Sequence, residues 1–193
     1  MGVEFELKFS AVPAQQAAIE KLYFGTHQRF QMQTTYYDTP SGALSARKIT
    51  LRRRMENGEA VCTVKTPISG YGRGEWDCRC EDIRQSIPQL CAKGAPEELL
   101  ALTREGIAEV CGARFTRLAA QVEFGEAVLE IALDQGVLTG GGREQPLCEV
   151  EVELKSGDPE LAVAFGMQLK ETFCLIPQES SKFRRALALA KGE

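Results

Sequence analysis

The sequence has few of the residues on which many catalytic and metal sites depend. It contains a single histidine, His27, so histidine-based acid-base or nucleophilic schemes have no support. His27 lies in Gly25-Thr26-His27-Gln28, between a predicted helix and a predicted strand, and is expected to be a loop residue. The seven cysteines are an odd number and form no C-x-x-C pair, which argues against a disulfide framework and a thiolate zinc site. We expect reduced, mostly buried thiols.

Long apolar runs and an excess of one charge are also absent. No segment approaches the roughly 20 apolar residues of a membrane helix, and the acids Glu4 and Glu6 are unlike the start of a secretory signal. The net charge of -4 argues against a surface built to bind nucleic acid. No G-x-S-x-G or Walker spacing is present. These features predict a cytoplasmic protein without membrane or nucleic-acid partners, folded as one domain over residues 1–193.

Alternation of polar and apolar residues is the dominant pattern and predicts a protein rich in antiparallel strands. The clearest hairpin turns at Asn57 and Gly58, because this dipeptide favours positive backbone angles. The glycine-rich stretch 70–74 is expected to be a flexible entrance to a strand. Strands are predicted over 3–10, 31–38, 49–55, 60–66, 73–81, 113–124, 128–134, 137–139 and 147–155. Helices are predicted over 14–24, 96–110, 158–173 and 181–190.

The predicted strands each place charged residues on one face, because side chains alternate along a strand. The opposite face is apolar nearly throughout and includes four of the cysteines. The charged set comprises Glu4, Glu6 and Lys8; Arg52, Arg54, Thr63 and Lys65; Arg73, Glu75, Asp77 and Arg79; Arg117, Gln121 and Glu123; Glu130 and Asp134; and Glu149, Glu151, Glu153 and Lys155.

Two architectures could follow from this pattern. One is a single-layer sheet whose charged face is solvated. The other, which we favour, is an α+β fold: a closed antiparallel β-barrel of about eight strands, with helices outside and the charged faces lining a tunnel. Such a lumen crowds charges at high cost. Cations would balance the carboxylates in the lumen, and a polyanion would balance the bases. A metal-bound polyphosphate supplies both.

The charged motifs, taken in order, resemble the CYTH superfamily of triphosphate tunnel metalloenzymes. They span residues 4–185, and the one departure is Asp77, where the family more often has glutamate. The motifs are Glu4-x-Glu6-x-Lys8, Tyr36-Tyr37-Asp38-Thr39, Leu51-Arg52-x-Arg54, Thr63-x-Lys65, Arg73-x-Glu75-x-Asp77, Glu130 with Asp134-x-Gly136, Glu149-x-Glu151-x-Glu153, and Ser181-Lys182-Phe183-x-Arg185.

The resemblance implies a metal-dependent triphosphatase that hydrolyses inorganic triphosphate to diphosphate and phosphate. The metal ligands for Mg²⁺ or Mn²⁺ would be Glu4, Glu6, Glu151 and Glu153. The catalytic residues would be Lys8, Glu130 and Lys182. The substrate would be bound by Lys8, Arg52, Arg54, Lys65, Arg73, Arg117, Lys182 and Arg185.

Other functions fit the same motifs. A class IV-type adenylate cyclase or a nucleoside or thiamine triphosphatase would use the same lumen, and a non-catalytic polyphosphate-binding module would need only its bases. The chain is most similar to the N-terminal domain of bacterial inorganic triphosphatases. Those proteins often carry a C-terminal CHAD domain, and no such domain is recognised in this sequence.

Overall fold

The computed structural model describes residues 2–68 and 72–193, and within them the strands form one large antiparallel sheet. The predicted strand entrance at 70–74 therefore falls partly outside the described residues. The strands are β1 (Gly2–Glu4), β2 (Glu6–Ser10), β3 (Gln28–Asp38), β4 (Thr50–Glu56), β5 (Glu59–Pro67), β6 (Arg73–Arg79), β7 (Ala108–Phe124), β8 (Ala127–Gly140), β9 (Arg143–Ser156) and β10 (Ile176–Pro177).

The helices lie mainly between strands. In the described ranges, none of them is both long and apolar enough to cross a bilayer. They are α1 (Pro13–Tyr23), α2 (Ala43–Ala46), α3 (Ile83–Ala92), α4 (Glu98–Leu102), a 3₁₀ turn at Thr103–Glu105, α5 (Pro159–Phe173) and α6 (Lys182–Lys191).

The strand order shows that the expected closed barrel is wrong in one respect. The order is β1-β6-β5-β4-β3-β7-β8-β9-β2-β10, and no ladder joins β6 to β9 among the described residues. Instead the N-terminal segment divides its pairing: β1 pairs with β6, and β2 pairs with β9. Phe5 alone separates β1 from β2, so one short strand cannot pair fully with both edges. The sheet edges formed by β6 and β9 are thus both paired with the N-terminal segment, but the hydrogen bonds between the described strands do not form a continuous ring.

The outer face of the sheet carries the apolar core and is covered by helices, as predicted. Phe165 and Leu169 of α5 pack with Ile19 of α1 against Leu129 and Val152, and each such side chain contributes about 1.5–3 kcal/mol by leaving water. A second cluster packs α2, α3 and α4 against β4, β5 and β6. At Gly166 a β-carbon would collide with Leu7, so this glycine lets α5 approach β2 closely.

Helix α6 departs from the expectation that the helices lie outside. Ala186 packs with Phe115, Leu138 and Leu147, and the strand registers give these three residues the parity of the charged face. The helix comes so close to the end of β8 that a β-carbon at Gly140 would overlap the α6 backbone. The first residues of α6 are thereby brought against the charged face.

The structure also corrects the predicted elements between β6 and β7. Helix α3 was not predicted, although Ile83, Ile87 and Leu90 have helical spacing and are buried; Pro88 interrupts the pattern. The helix predicted over 96–110 is only α4 and a 3₁₀ turn. It ends at Gly106, which has a φ of +98°, and β7 begins two residues later.

The cysteines are free thiols, and two of them lie in the outer core. Cys62 and Cys78 are fully or nearly buried. Burial raises the pKa of Cys62 to about 11 and that of Cys111 to about 12. Cys174, by contrast, is exposed at the end of α5. The buried thiols are therefore weak nucleophiles at neutral pH.

We expect iodoacetamide at pH 8 to alkylate Cys174 in the native protein, whereas Cys62 and Cys111 react only after unfolding. A raised pKa leaves little thiolate at this pH for both residues, and burial also blocks access to Cys62. Mass spectrometry of digests from native and denatured samples measures this. Rapid native labelling of Cys62 would contradict the packing described above.

Candidate functional site

Acidic side chains form a row across three neighbouring strands. Glu6 of β2 lies opposite Glu153 of β9, and Glu153 lies opposite Glu130 of β8. Like charges directly opposite each other in a sheet destabilise it. Burial, together with the nearby charges of Glu4 and Glu130, raises the pKa of Glu153. Cations close to this row would therefore stabilise it.

Lysines supply positive charge to the row and to Glu4. Lys8 lies 2.8 Å from Glu6, and Lys65 pairs with Glu4. Each of these carboxylates is within reach of a lysine that retains some exposure to solvent. The acids on the charged face are thus in contact with lysines.

Basic side chains face these acids from the other half of the sheet. This basic wall consists of Arg52, Arg54, Lys65 and Arg73 on β4, β5 and β6. Arg54 is its most buried member, at 6% exposed. Its Nε donates to Thr34 Oγ1 at 2.9 Å, and its Nη1 lies 3.8 Å from Glu56. Burial, and then the neighbouring Arg52 and Arg117, lowers the pKa of Arg54 to about 10. Arg54 is thus a buried cation with only a distant carboxylate, which favours an anionic ligand.

A buried ion network lies where α6 meets the sheet. Lys182 Nζ is 2.8 Å from Asp134, 2.6 Å from Glu149 and 2.6 Å from Glu151. Arg117 donates two bonds of 2.7 Å to Asp134 and also contacts Glu151. The carboxylates of Asp134, Glu149 and Glu151 have oxygens within 4.8 Å of one another. That spacing would suit a metal ion, but Lys182 already supplies the positive charge there.

The cations dominate the ionisation of this network. Burial alone would raise the pKa values of Asp134 and Glu151, but Arg117 and Lys182 outweigh it and lower both. Burial would likewise lower the pKa of Lys182, whereas Asp134, Glu151 and Glu149 together raise it. Asp134, Glu151 and Lys182 are therefore charged at neutral pH.

The aromatic ring of Phe115 lies among cations from both halves of the site. Arg54, Arg117 and Lys182 lie 5.7, 5.9 and 5.5 Å from its centroid. A ring face attracts cations without neutralising them. Phe115 thereby links Arg54 of the basic wall to Arg117 and Lys182 of the ion network.

The acids and bases line one cavity of about 330 Å³. This brings together residues that the sequence placed on separate strands. The predicted site residues on its wall are Glu4, Glu6, Lys8, Arg52, Arg54, Lys65, Arg73, Arg117, Glu130, Glu151, Glu153 and Lys182.

Some predicted residues have partners that limit direct contact with a ligand. Arg185 pairs with Glu149 and is not on the cavity wall. Arg73 lines the cavity, but its Nη2 donates to the carbonyl oxygens of Lys48 at 2.8 Å and of Lys65 at 3.2 Å. Both oxygens of Glu151 accept from cations, Lys182 and Arg117.

The motif residue Asp38 has a structural position. Its carboxylate accepts from the backbone N–H groups of Thr39, Leu44 and Ser45 at 2.7, 2.9 and 3.1 Å, so it caps α2. Its neighbour Tyr36 lies on the cavity wall and packs against Phe183 with 5.1 Å between ring centroids.

Several wall residues were not predicted as site residues. Lys155 shares the parity of the acids on β9, so the strand pattern contained this signal. Phe30, Met32 and Phe183 are apolar residues on a charged wall. Phe183 belongs to the motif that begins at Ser181, whereas no motif contains Phe30 or Met32. Arg53, which has the opposite parity, pairs outside with Glu81 at 2.8 Å, as its position in the strand predicts.

The fold and the site define an α+β protein whose sheet places carboxylates, arginines and lysines around one cavity. A family model described as the CYTH domain matches residues 2–187. The chain therefore belongs to the CYTH domain family, which confirms the resemblance noted in the sequence.

Known proteins that resemble the chain support this assignment. The inorganic triphosphatase of Haemophilus influenzae is 33% identical over 165 residues, covering 80% of this chain and 46% of that protein. The chain thus spans about half the length of this curated relative.

Two solved structures share the fold. One is the PH1819 protein of Pyrococcus horikoshii, with a TM-score of 0.66, 24% identity and coverage of 97% and 99% of the two chains. The other is an adenylyl cyclase candidate from Hippeastrum with a dominant triphosphatase activity. Its TM-score is 0.63 at 16% identity, with coverage of 100% and 97%.

Proposed function

We propose that this domain hydrolyses inorganic triphosphate to diphosphate and orthophosphate with Mg²⁺ or Mn²⁺ bound. The observation that carries the proposal is the shared cavity, where Glu4, Glu6 and Glu153 line the same 330 Å³ as Arg52 and Arg54. A triphosphate carries several negative charges along a short chain. It can therefore contact the bases directly and the carboxylates through cations.

The carboxylate wall fits a hard divalent cation. Carboxylate oxygens are preferred ligands of Mg²⁺ and Mn²⁺. Partly exposed lysines offset the like-charge repulsion in the row of Glu6, Glu153 and Glu130, and a divalent cation would neutralise this row more fully. Glu4, Glu6 and Glu153 would hold the ion, and Glu151 adds negative charge behind them. When bound, the ion supplies positive charge to phosphate oxygens and lowers the pKa of a coordinated water.

The basic wall would bind and orient the phosphates. Arginine matches two phosphate oxygens with its planar fork, and lysine acts as a point charge. Arg54 is the best-placed anchor because it is buried and distant from its nearest carboxylate. Arg52, Lys65, Arg117 and Lys182 would neutralise the remaining charge. Arg73 and Arg185 would act mainly by holding backbone and carboxylate partners in place.

Phosphoryl transfer needs little covalent help from a protein, because catalysis consists mainly of positioning and charge stabilisation. In this proposal Glu130 orients the attacking water and accepts its proton. Lys8 and Lys182 stabilise charge on the phosphate oxygens as the anhydride bond breaks. Water adds to the terminal phosphorus, and diphosphate leaves.

The proposal is tested by product analysis of the purified chain. We expect orthophosphate release from inorganic triphosphate with Mg²⁺ or Mn²⁺, none with a chelator, and slower release from ATP and thiamine triphosphate. Cyclic AMP formed from ATP would instead indicate a cyclase. Tight triphosphate binding without turnover would indicate a polyphosphate-binding module.

Arg54→Ala is expected to weaken triphosphate binding more than it slows turnover. Losing a charged hydrogen-bond partner costs about 1.5–3 kcal/mol, or roughly a ten- to hundredfold increase in KM. Steady-state kinetics measures this effect. Arg53→Ala is the matched control, since this neighbour points outward to Glu81. An unchanged KM in Arg54→Ala would remove Arg54 from the binding role.

A further inference from the structure

Lys155 lies at a β-bulge beside the acidic row. Val128 pairs with Ser156 and Leu129 pairs with Leu154, so the ladder between β8 and β9 skips Lys155. A bulge adds one residue to one strand and leaves that residue without a partner in the ladder. Lys155 therefore keeps the parity of Glu153 but has no residue opposite it on β8.

The side chain of Lys155 lies between two opposed acids. Lys155 Nζ is 3.0 Å from Glu153 and 3.3 Å from Glu130, and these two residues face each other across the ladder. The ammonium group therefore offsets the repulsion of this pair in the metal-free protein.

Exposure distinguishes Lys155 from the other lysines that contact acids in this site. The side chain of Lys155 is 33% exposed, whereas those of Lys8, Lys65 and Lys182 are 17%, 12% and 7% exposed. A partly exposed lysine on a flexible stem can move its charge into water at little cost. Lys155 therefore gives up its position more easily than these three lysines.

We propose that Lys155 is a resident counter-ion that takes the place of a divalent cation beside Glu130 and Glu153 and is displaced when the cation binds. This inference rests on the proposed function only in assuming that Glu153 contributes to the metal site. Lys155 keeps the acidic row stable before metal binds, and the same charge weakens the affinity for metal. Its removal therefore has opposite effects on the metal-free and the metal-bound protein.

Titration calorimetry of Mn²⁺ into the metal-free protein tests the competition. We expect Lys155→Met to bind Mn²⁺ about tenfold more tightly than wild type, because a nearby positive charge is lost. Lys155→Arg keeps the charge and should bind as wild type does. Lys21→Met, an exposed lysine of α1, is the matched control and should also be unchanged.

Thermal unfolding supplies a second measurement that does not depend on turnover. With a chelator present, Lys155→Met should melt about 2–4 °C below wild type, and saturating Mn²⁺ should close this gap. If Lys155→Met does not fold, Lys155→Gln gives the same comparison with a neutral polar side chain.

The outcomes separate this inference from the proposed function. If wild type binds Mn²⁺ and releases phosphate while Lys155→Met binds Mn²⁺ equally or more weakly, the inference fails and the function stands. If neither protein binds Mn²⁺ and no phosphate is released, the proposed function fails and the inference fails with it.

Discussion

Replacing Glu6 with glutamine is expected to reduce metal-dependent triphosphate hydrolysis by at least about 100-fold. Substitutions that act on a metal through its ligands already cost about 10–100-fold, and Glu6 is proposed to bind the ion directly. The change is nearly isosteric and removes one charge from the row it forms with Glu153 and Glu130. Phosphate release at saturating Mn²⁺ and triphosphate measures the loss.

The fold should survive this substitution, which separates a chemical role from a structural one. Neutralising one acid relieves like-charge repulsion, and the partly exposed pair with Lys8 contributes little. The melting temperature in chelator should therefore be no lower than that of wild type. Glu59→Gln, on the exposed part of β5, is the matched control. Full activity in Glu6→Gln would exclude Glu6 as a metal ligand.

Replacing Lys182 with methionine is expected to cause the largest loss of stability of any substitution considered for this protein. It leaves Asp134, Glu149 and Glu151 buried without the ammonium that contacts all three. Removing one partner from a buried ionic group costs about 3–5 kcal/mol, which corresponds to about 6–20 °C in Tm for a chain of this length. Calorimetry or circular dichroism during heating measures this loss.

Two further substitutions show whether the loss comes from the buried charge. Lys191→Met removes an exposed lysine from the same helix and should change Tm little. Lys182→Arg retains the charge and should lose less stability than Lys182→Met. A Lys182→Met protein as stable as wild type would show that the three carboxylates do not need this cation.

The sequence predicted which residues share one face of the sheet better than it predicted the shape of the sheet. The parity of Glu6, Arg54, Lys65 and Glu153 depends only on the alternation of a strand, which is a local property. Their convergence on one cavity required a curved sheet, and the charge pattern predicted this because a solvated face rarely contains so few neutral polar residues.

Features that depend on distant contacts were not predictable in the same way. The division of the N-terminal strand at Phe5 is set by which edges it meets, and the inward position of α6 is set by the fit of Ala186 against Phe115. The bulge at Lys155 is a mismatch between two strands, and no residue in either strand indicates it alone. These long-range features also decide which cations lie beside which acids.

The most direct test of metal and triphosphate binding in this cavity is a crystal of the protein with Mn²⁺ and a non-hydrolysable triphosphate analogue, examined by anomalous scattering. We predict Mn²⁺ beside Glu4, Glu6 and Glu153, with the phosphates between the ion and Arg54. Mn²⁺ in place of Lys182 among Asp134, Glu149 and Glu151, or an analogue bound outside this cavity, would contradict it.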